Sequence, residues 1–208
     1  MRTRDFFCFC CKSDQVYALR FGRNNLSAMR GECQGKSCHL YRTATVSGTL
    51  SPVGLPVITF AGATLILTGT GDTANVTNGP PTFLNNLTTA TFFMGGVGAG
   101  TFTNPFHVFD NQTTNAAGFS DNSPLDLLFT TNAAFASHAL STSIGPITGS
   151  SSINSGASFP TTAGALVINS VGTTATFTAT VSAVPLPGAL PLFATGLAGL
   201  GLLGWRRK

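Results

Sequence analysis

Between Thr43 and Trp205 the sequence contains no lysine, arginine, glutamate or cysteine. A helix in this stretch could not form the i,i+4 ion pairs that stabilise surface helices, so strands are favoured. Without cations this part of the chain cannot neutralise phosphates, which excludes nucleic-acid binding by it. The same absences leave few groups for acid–base or nucleophilic catalysis, and we therefore expect no enzyme and no catalytic residue.

The few charges are segregated along the chain. Residues 1–42 hold eight Lys or Arg and three acidic residues, whereas residues 43–205 hold four Asp and no Lys or Arg. The net charge of +4 therefore belongs to the two ends, and the body between them is mildly acidic. The length suits one domain with a core of its own. We predict three parts, namely residues 1–42, a β-rich exported domain over 43–183, and a C-terminal segment over 184–208.

The first 42 residues differ from the rest in composition and predict no ordinary signal peptide, because their apolar run, residues 6–11, ends at Lys12. One interpretation is a metal site formed by the cysteines and His39, although only one pair approaches a structural-zinc spacing. The other, which we predict, is a segment that is disordered or not authentic, so that the body folds without it and no metal or cofactor is bound. The cysteines are Cys8, Cys10, Cys11, Cys33 and Cys38.

Short runs of β-favouring residues alternate with turn signals through the body. In Thr174–Ser182, apolar residues alternate with hydroxyl residues in a strict period of two. This pattern predicts a mostly β protein with an antiparallel, β-sandwich-like body. Gly145–Ala163 is so rich in Ser, Gly, Thr and Pro that we predict a loop there. Further strands are expected at Thr89–Phe93, Phe106–Phe109 and Leu125–Thr131.

Val53–Leu67 is a second apolar stretch and has two interpretations. It could be an export signal preceded by a long basic region. It could also be a pair of short strands, Val57–Phe60 and Thr64–Leu67, that turn at Ala61-Gly62. Because Pro and Gly interrupt the stretch and β-branched residues are frequent in it, we predict the strands.

Two groups of residues in the body could carry chemistry. His107 and Asp110 are three residues apart, which places them on opposite faces of a strand unless the chain turns at Asp110-Asn111. Asp121–Asp126 could offer oxygen ligands to Ca²⁺, but it lacks the spacing and the closing Glu of an EF-hand loop, and an Asx-rich turn is predicted. We therefore predict no metal site.

The last 25 residues contain a Pro-rich motif, an uncharged apolar run from Ala189 to Trp205, and a cluster of cations. Such a run rises about 25 Å as a helix, close to the ~30 Å hydrocarbon core of a bilayer. A helix buried in a soluble domain would show a polar stripe, which this run lacks. We predict a single transmembrane helix whose basic end stays cytoplasmic. The motif is Val184, Pro185, Leu186, Pro187 and Gly188, and the cations are Arg206, Arg207 and Lys208.

This order of motif, apolar helix and basic cluster resembles the PEP-CTERM sorting signal of Gram-negative bacteria, in the variant with Val-Pro-Leu-Pro at the motif. The resemblance covers residues 184–208, and Leu186 stands where the main family has Glu. It implies recognition by an exosortase, which is a membrane protease resembling a transpeptidase. It also implies cleavage near the Pro motif and release of the body to the cell surface or the extracellular matrix.

These observations predict an exported structural or interaction protein of the cell surface or biofilm matrix, which passes transiently through the inner membrane. The expected partners are an exosortase-like protease, the lipid bilayer and exopolysaccharide. The alternative is a carbohydrate- or calcium-binding surface module that stays anchored in the inner membrane, with the few aromatic and Asp side chains forming a shallow site.

Overall fold

The computed structural model describes residues 7–12, 15–22, 25–32, 35–121 and 125–182. Within these ranges the protein is mostly antiparallel β-structure, which confirms the predicted class. Three strands lie in the segment that the sequence predicted to be disordered, and they pair in the order β1-β2-β3. They are β1 (Phe7–Lys12), β2 (Gln15–Gly22) and β3 (Asn25–Glu32).

A second, larger sheet contains ten strands, all paired antiparallel. A short 3₁₀ helix, Ala133–Ser137, follows the seventh of them. The strands are β4 (Ser37–Ser51), β5 (Ile58–Gly79), β6 (Thr82–Met94), β7 (Gly98–Thr101), β8 (Phe106–Asn111), β9 (Ala116–Asp121), β10 (Asp126–Thr131), β11 (Ile144–Ser152), β12 (Ser158–Thr161) and β13 (Gly164–Ser182).

Eight of these strands form a closed ring. Their order is β4-β5-β6-β8-β9-β10-β11-β13, and β13 pairs again with β4. The sequence predicted two sheets packed face to face, but the hydrogen-bonded ladder is instead continuous around one sheet. Closure pairs backbone groups that the edges of an open sheet would leave without partners. Closure is possible because β13, the last strand of the described residues, lies between β4 and β11, the first and last strands of the meander.

The sheet closes a second time at its other end, where β4, β5, β6 and β13 extend beyond the ring of eight. There β6 pairs with β7, and β13 pairs with β12. Phe102 forms a single bridge with Thr161. The Thr162 N–H also donates to Thr101 O at 2.9 Å, which joins the β7 side to the β12 side.

Alternate side chains of the long strands fill the interior of the closed sheet. On β13, Ala175, Phe177 and Ala179 are buried, while Thr174 and Thr180 are exposed, which confirms the predicted period of two. Burying a large apolar side chain contributes about 1.5–3 kcal/mol each. A row of rings packs toward the second closure, with centroid separations of 5.9, 4.3 and 6.0 Å along Phe92, Phe102, Phe106 and Phe159.

Ala61-Gly62 is a β-bulge rather than the predicted turn. β5 continues through both residues, which lie opposite the single residue Ser47 of β4. Gly62 has a φ of +62°, a conformation that glycine adopts without strain, and its N–H donates to Ser47 Oγ at 3.1 Å. A lone glycine within a strand pattern indicates a turn or a bulge, and here the pairing of β5 with β4 on both sides selects the bulge.

The prediction of a loop over Gly145–Ala163 is wrong, because β11 and β12 occupy most of this range. β11 buries little side-chain surface, but it pairs with β10 on one edge and with β13 on the other. A side chain at Gly149 would overlap Thr131 O of β10. The small residues that suggested flexibility therefore allow the close approach of neighbouring strands.

The predicted boundary between residues 42 and 43 falls inside β4, where Cys38, Leu40 and Arg42 are buried. The Arg42 side chain crosses the interior of the ring. Its Nη1 donates to Ala117 O at 2.9 Å, and its Nη2 donates to Thr130 Oγ1. Residues 37–42 thus belong to the closed sheet despite their different composition.

Two shortened chains test this assignment. Both end at Ser182, and they begin at Gly35 or at Thr43. The chain from Gly35 keeps β4 whole and is expected to unfold cooperatively on heating, monitored by far-UV circular dichroism. The chain from Thr43 loses the first six residues of β4 with their three buried side chains, of which Leu40 alone is worth about 1.5–3 kcal/mol, against a typical total stability of about 5–15 kcal/mol. It is expected to show no cooperative transition, and equal melting temperatures for the two chains would contradict the assignment.

Candidate functional site

His107 and Asp110 lie on β8 and face opposite sides of the sheet. The strand continues through Asn111, so the turn that would have brought them together is absent between them. Asp110 is buried in the interior, whereas His107 is partly exposed on the outside. They do not form the hydrolytic pair that the sequence left open.

Asp110 pairs instead with His138, which follows the 3₁₀ helix. His138 Nδ1 lies 2.9 Å from Asp110 Oδ2, and His138 Nε2 lies 3.0 Å from Thr142 O. A carbonyl oxygen only accepts, so Nε2 carries a proton, and a second proton is shared between Nδ1 and the carboxyl group. Burial raises the pKa of Asp110, and the hydrogen bond and charge of His138 oppose this rise. Both side chains are almost fully buried, so the pair fixes the helix segment to β8 rather than meeting a substrate.

Replacing His138 tests this pair through its pH dependence. The raised pKa means that Asp110 binds its proton more tightly in the folded protein, which favours folding at low pH and is lost as the pH rises through that pKa. His138→Ala removes the imidazole whose hydrogen bond and charge oppose the rise in the pKa of Asp110. We expect a loss of about 3–5 kcal/mol in the free energy of urea unfolding at pH 7, and a clearly smaller loss at pH 4, because the raised pKa of Asp110 makes its carboxyl easier to neutralise as the pH falls.

The control for this experiment is His39→Ala, on the outer side of β4, which is expected to lose less than about 1 kcal/mol at both pH values. An equal loss at pH 7 and pH 4 in His138→Ala would contradict the proton-sharing pair.

A second group of polar side chains lies outside the ring. Register pairing across β8, β9 and β10 brings His107, Ser120 and Asp126 side by side. Asp126 reaches the outer face because the register shifts between Asp126 and Leu128, so Leu127 and Leu128 are both buried inside. A β-bulge commonly re-aims a side chain in this way. The Ser120 hydroxyl donates to Leu125 O at 3.1 Å.

Burial also raises the pKa of Asp126, while a hydrogen bond with Ser120 and the charge of His107 lower it. The carboxyl group is therefore held in a partly desolvated position beside the imidazole. Neither Ser120 nor the bulge was predicted. The bulge depends on one extra residue in β10, which leaves no local sequence signal.

An apolar row follows the polar one along the same strands. Leu84 of β6 pairs with Phe109, and Phe109 lies opposite Gly118 of β9. The rings of Phe109 and Phe129 are 6.2 Å apart across Gly118, where a Cβ would collide with Phe129. A third row pairs Thr82 with Asn111.

The three rows line an open cleft of about 350 Å³, which we call the outer cleft. It combines one imidazole, the Asp126 carboxyl group, two hydroxyls, an amide and two apolar side chains, and the buried Asp121 borders it. Its lining residues are Thr82, Leu84, His107, Phe109, Asn111, Ser120, Asp121 and Asp126.

The candidate Ca²⁺ loop, Asp121–Asp126, contributes its two ends to the outer cleft, and residues 122–124 lie outside the described ranges. Asp121 is buried, and its Oδ1 accepts the N–H of Leu125 at 3.2 Å, as the side chain of an Asx turn does. Among the described residues, no three His, Cys, Asp or Glu side chains are placed to hold a metal ion.

The cysteine-rich candidate metal site is only partly described. Cys38 faces the interior, and the adjacent His39 lies on the other side of β4, 3.4 Å from Ser37 Oγ. Burial, with a smaller contribution from Asp72, raises the pKa of the Cys38 thiol to about 11, so it is a buried neutral thiol at neutral pH. Three of the other cysteines, Cys8, Cys10 and Cys11, fall in β1, and Cys33 lies outside the described residues.

The predicted sorting signal also lies outside the described residues, which end at Ser182. None of the helical structure within the described ranges is long and apolar enough to cross a membrane. The signal comprises Val184, Pro185, Leu186, Pro187, Gly188, the run Ala189–Trp205, Arg206, Arg207 and Lys208.

Comparisons of the chain with protein-family models, with curated proteins and with solved structures found no match. The resemblance of residues 184–208 to a sorting signal therefore stays a prediction from the residues themselves.

Proposed function

We propose that this is an exported structural or interaction protein of the cell surface or extracellular matrix, sorted and cleaved through its C-terminal segment. The observation that carries the proposal is the order of motif, apolar run and basic cluster in residues 184–208. β13 ends at Ser182, so the motif begins two residues after the strand that closes the sheet. The apolar run would cross the inner membrane, with Arg206, Arg207 and Lys208 on the cytoplasmic side.

The surface composition of the body is compatible with close contact to polysaccharide chains. Between Thr43 and Ser182 the only formally charged side chains are four Asp, of which Asp110 and Asp121 are buried. Most other polar side chains in this range carry hydroxyl or amide groups. These groups form hydrogen bonds with sugar hydroxyls and create no long-range electrostatic field. Exopolysaccharide is therefore the neighbour that we propose for the released body.

Processing at the motif has a physical basis. Pro185 and Pro187 fix their own φ near −65° and disfavour the helical conformation at Val184 and Leu186. A protease cleft needs an extended segment that is not paired in a sheet. The two prolines favour that state between the end of β13 and the apolar run, where an exosortase-like protease would act.

Mass spectrometry of the mature protein from its own host tests the proposal. We expect most molecules to end between Pro185 and Gly188. In a matched variant with Pro185→Ala and Pro187→Ala, we expect most molecules to keep the whole tail, because the segment can then become helical. Recovery of the unaltered chain through Lys208 in most molecules would contradict processing.

That contrary result would favour the alternative, a surface module held permanently in the inner membrane. One observation supports a binding role for such a module, namely the outer cleft with its polar and apolar rows. The calcium version of this alternative has no comparable support, since no metal-holding group occurs in the described ranges.

A further inference from the structure

The outer cleft has the composition and layout of a sugar-binding site. We propose that it binds two linked pyranose units of a neutral or amino-substituted glycan, and that it excludes anionic glycans. The inference goes beyond sorting and does not depend on whether residues 184–208 are cleaved, since it rests only on the outer face of β6, β8, β9 and β10.

The order of the three rows matches the polar and apolar surfaces of a sugar ring. A pyranose ring has an apolar face of C–H groups and a rim of hydroxyls that both donate and accept. In the outer cleft, Leu84 and Phe109 form an apolar middle between two polar rows. The outer rows, marked by His107 and Asn111, are four residues apart on β8, about 13 Å at 3.3–3.4 Å per residue. This spacing lets each of two linked rings meet one polar row while both contact the apolar middle.

The volume of the outer cleft is consistent with a ligand of two sugar units. At about 350 Å³ the cleft falls at the small end of the range of about 300–1,000 Å³ that is usual for ligand sites. Its open shape suits part of a longer chain that continues into solvent at both ends.

The charge of the outer cleft favours neutral or cationic ligands. The Asp126 carboxyl group lines the cleft beside the buried Asp121, and no Lys or Arg occurs between Thr43 and Ser182. Arg42 is buried inside the ring and cannot reach the outer face. A uronate or sulfated sugar would bring a negative charge beside the partly desolvated Asp126 carboxylate, with which it would compete for His107, the one side chain of the cleft that can carry a positive charge. A hydroxyl or an ammonium group on the sugar instead supplies the donor that the Asp126 carboxylate accepts.

The polar row of His107, Ser120 and Asp126 is arranged for binding rather than for hydrolysis. His107, Ser120 and Asp126 are the residue types of a hydrolytic triad, but Ser120 lies between the other two in the register, where a triad has its imidazole. Ser120 is 2% exposed, so a substrate cannot reach its hydroxyl. The row can hold a ligand, but it has no accessible nucleophile.

Titration calorimetry on the full chain, in a detergent without a sugar headgroup, tests the proposal. The probes are a glucosamine disaccharide, cellobiose and digalacturonate, at the same ionic strength. We expect the first two to bind with dissociation constants near or below about 1 mM, the amino sugar about tenfold more tightly because of its charge-assisted hydrogen bond. Digalacturonate is expected not to bind. Binding of digalacturonate as tight as that of cellobiose, or no binding by either of the other two, would overturn the proposal.

Two variants and one control locate the site. Asp126→Asn keeps the shape and is expected to abolish the tenfold preference for the amino sugar while cellobiose still binds. Phe109→Ala is expected to weaken both sugars at least about fivefold through loss of the apolar contact. Asp72→Asn, a partly buried Asp on β5 outside the cleft, is expected to change neither. Unchanged affinities in Asp126→Asn would overturn the assignment even if Phe109→Ala fails to fold.

The imidazole signals give an independent readout, because the chain has only three histidines. On addition of cellobiose, the ring signals of His107, assigned with His107→Gln, are expected to shift. Those of His39 and His138 are expected to stay in place, since neither lines the outer cleft. A shift confined to His39 or His138 would place the sugar elsewhere and overturn the proposal.

Discussion

The pairing of β13 on both of its edges is the interaction on which the rest of the larger sheet depends. One edge meets β4 along almost the whole strand, and the other meets β12 and then β11. Without the contact to β11, the sheet from β11 through β4 to β13 would be open, and the facing edges of β11 and β13 would lack partners there. With it, alternate side chains of every strand in the ring face one enclosed core.

Closure also explains how the core tolerates Arg42. The guanidinium is 1% exposed, and burial lowers its pKa to about 9, so it remains charged at neutral pH. Its burial cost is offset by hydrogen bonds to Ala117 O of β9 and Thr130 Oγ1 of β10, which lie across the ring from β4. Such a connection exists only because the sheet returns on itself. The outer cleft depends on the same curvature, since its rows come from strands that the ring holds in register.

The features that could be predicted from the sequence are those that depend only on residues within a single strand. The alternation over Thr174–Ser182 requires only a period of two, and it was predicted correctly. Gly145–Ala163 was mistaken for a loop because its strands form through pairing with neighbouring strands, and their own composition does not indicate a strand. The contact between Asp110 and His138 joins residues 28 positions apart. The outer cleft depends on a one-residue bulge at Leu127, and no periodicity in the sequence marks any of these long-range features.

Closure of the sheet through β11 is the central claim, and amide hydrogen exchange over residues 144–152 measures it most directly. β11 pairs with β13 over Ile144–Ser150 and with β10 over Ser150–Ser152, so the amides bonded in these two ladders are expected to exchange nearly as slowly as those of β4, although the segment is rich in Ser and Gly. Exchange of the whole segment at the rate of an unstructured peptide, while β4 and β5 remain protected, would contradict the closed sheet.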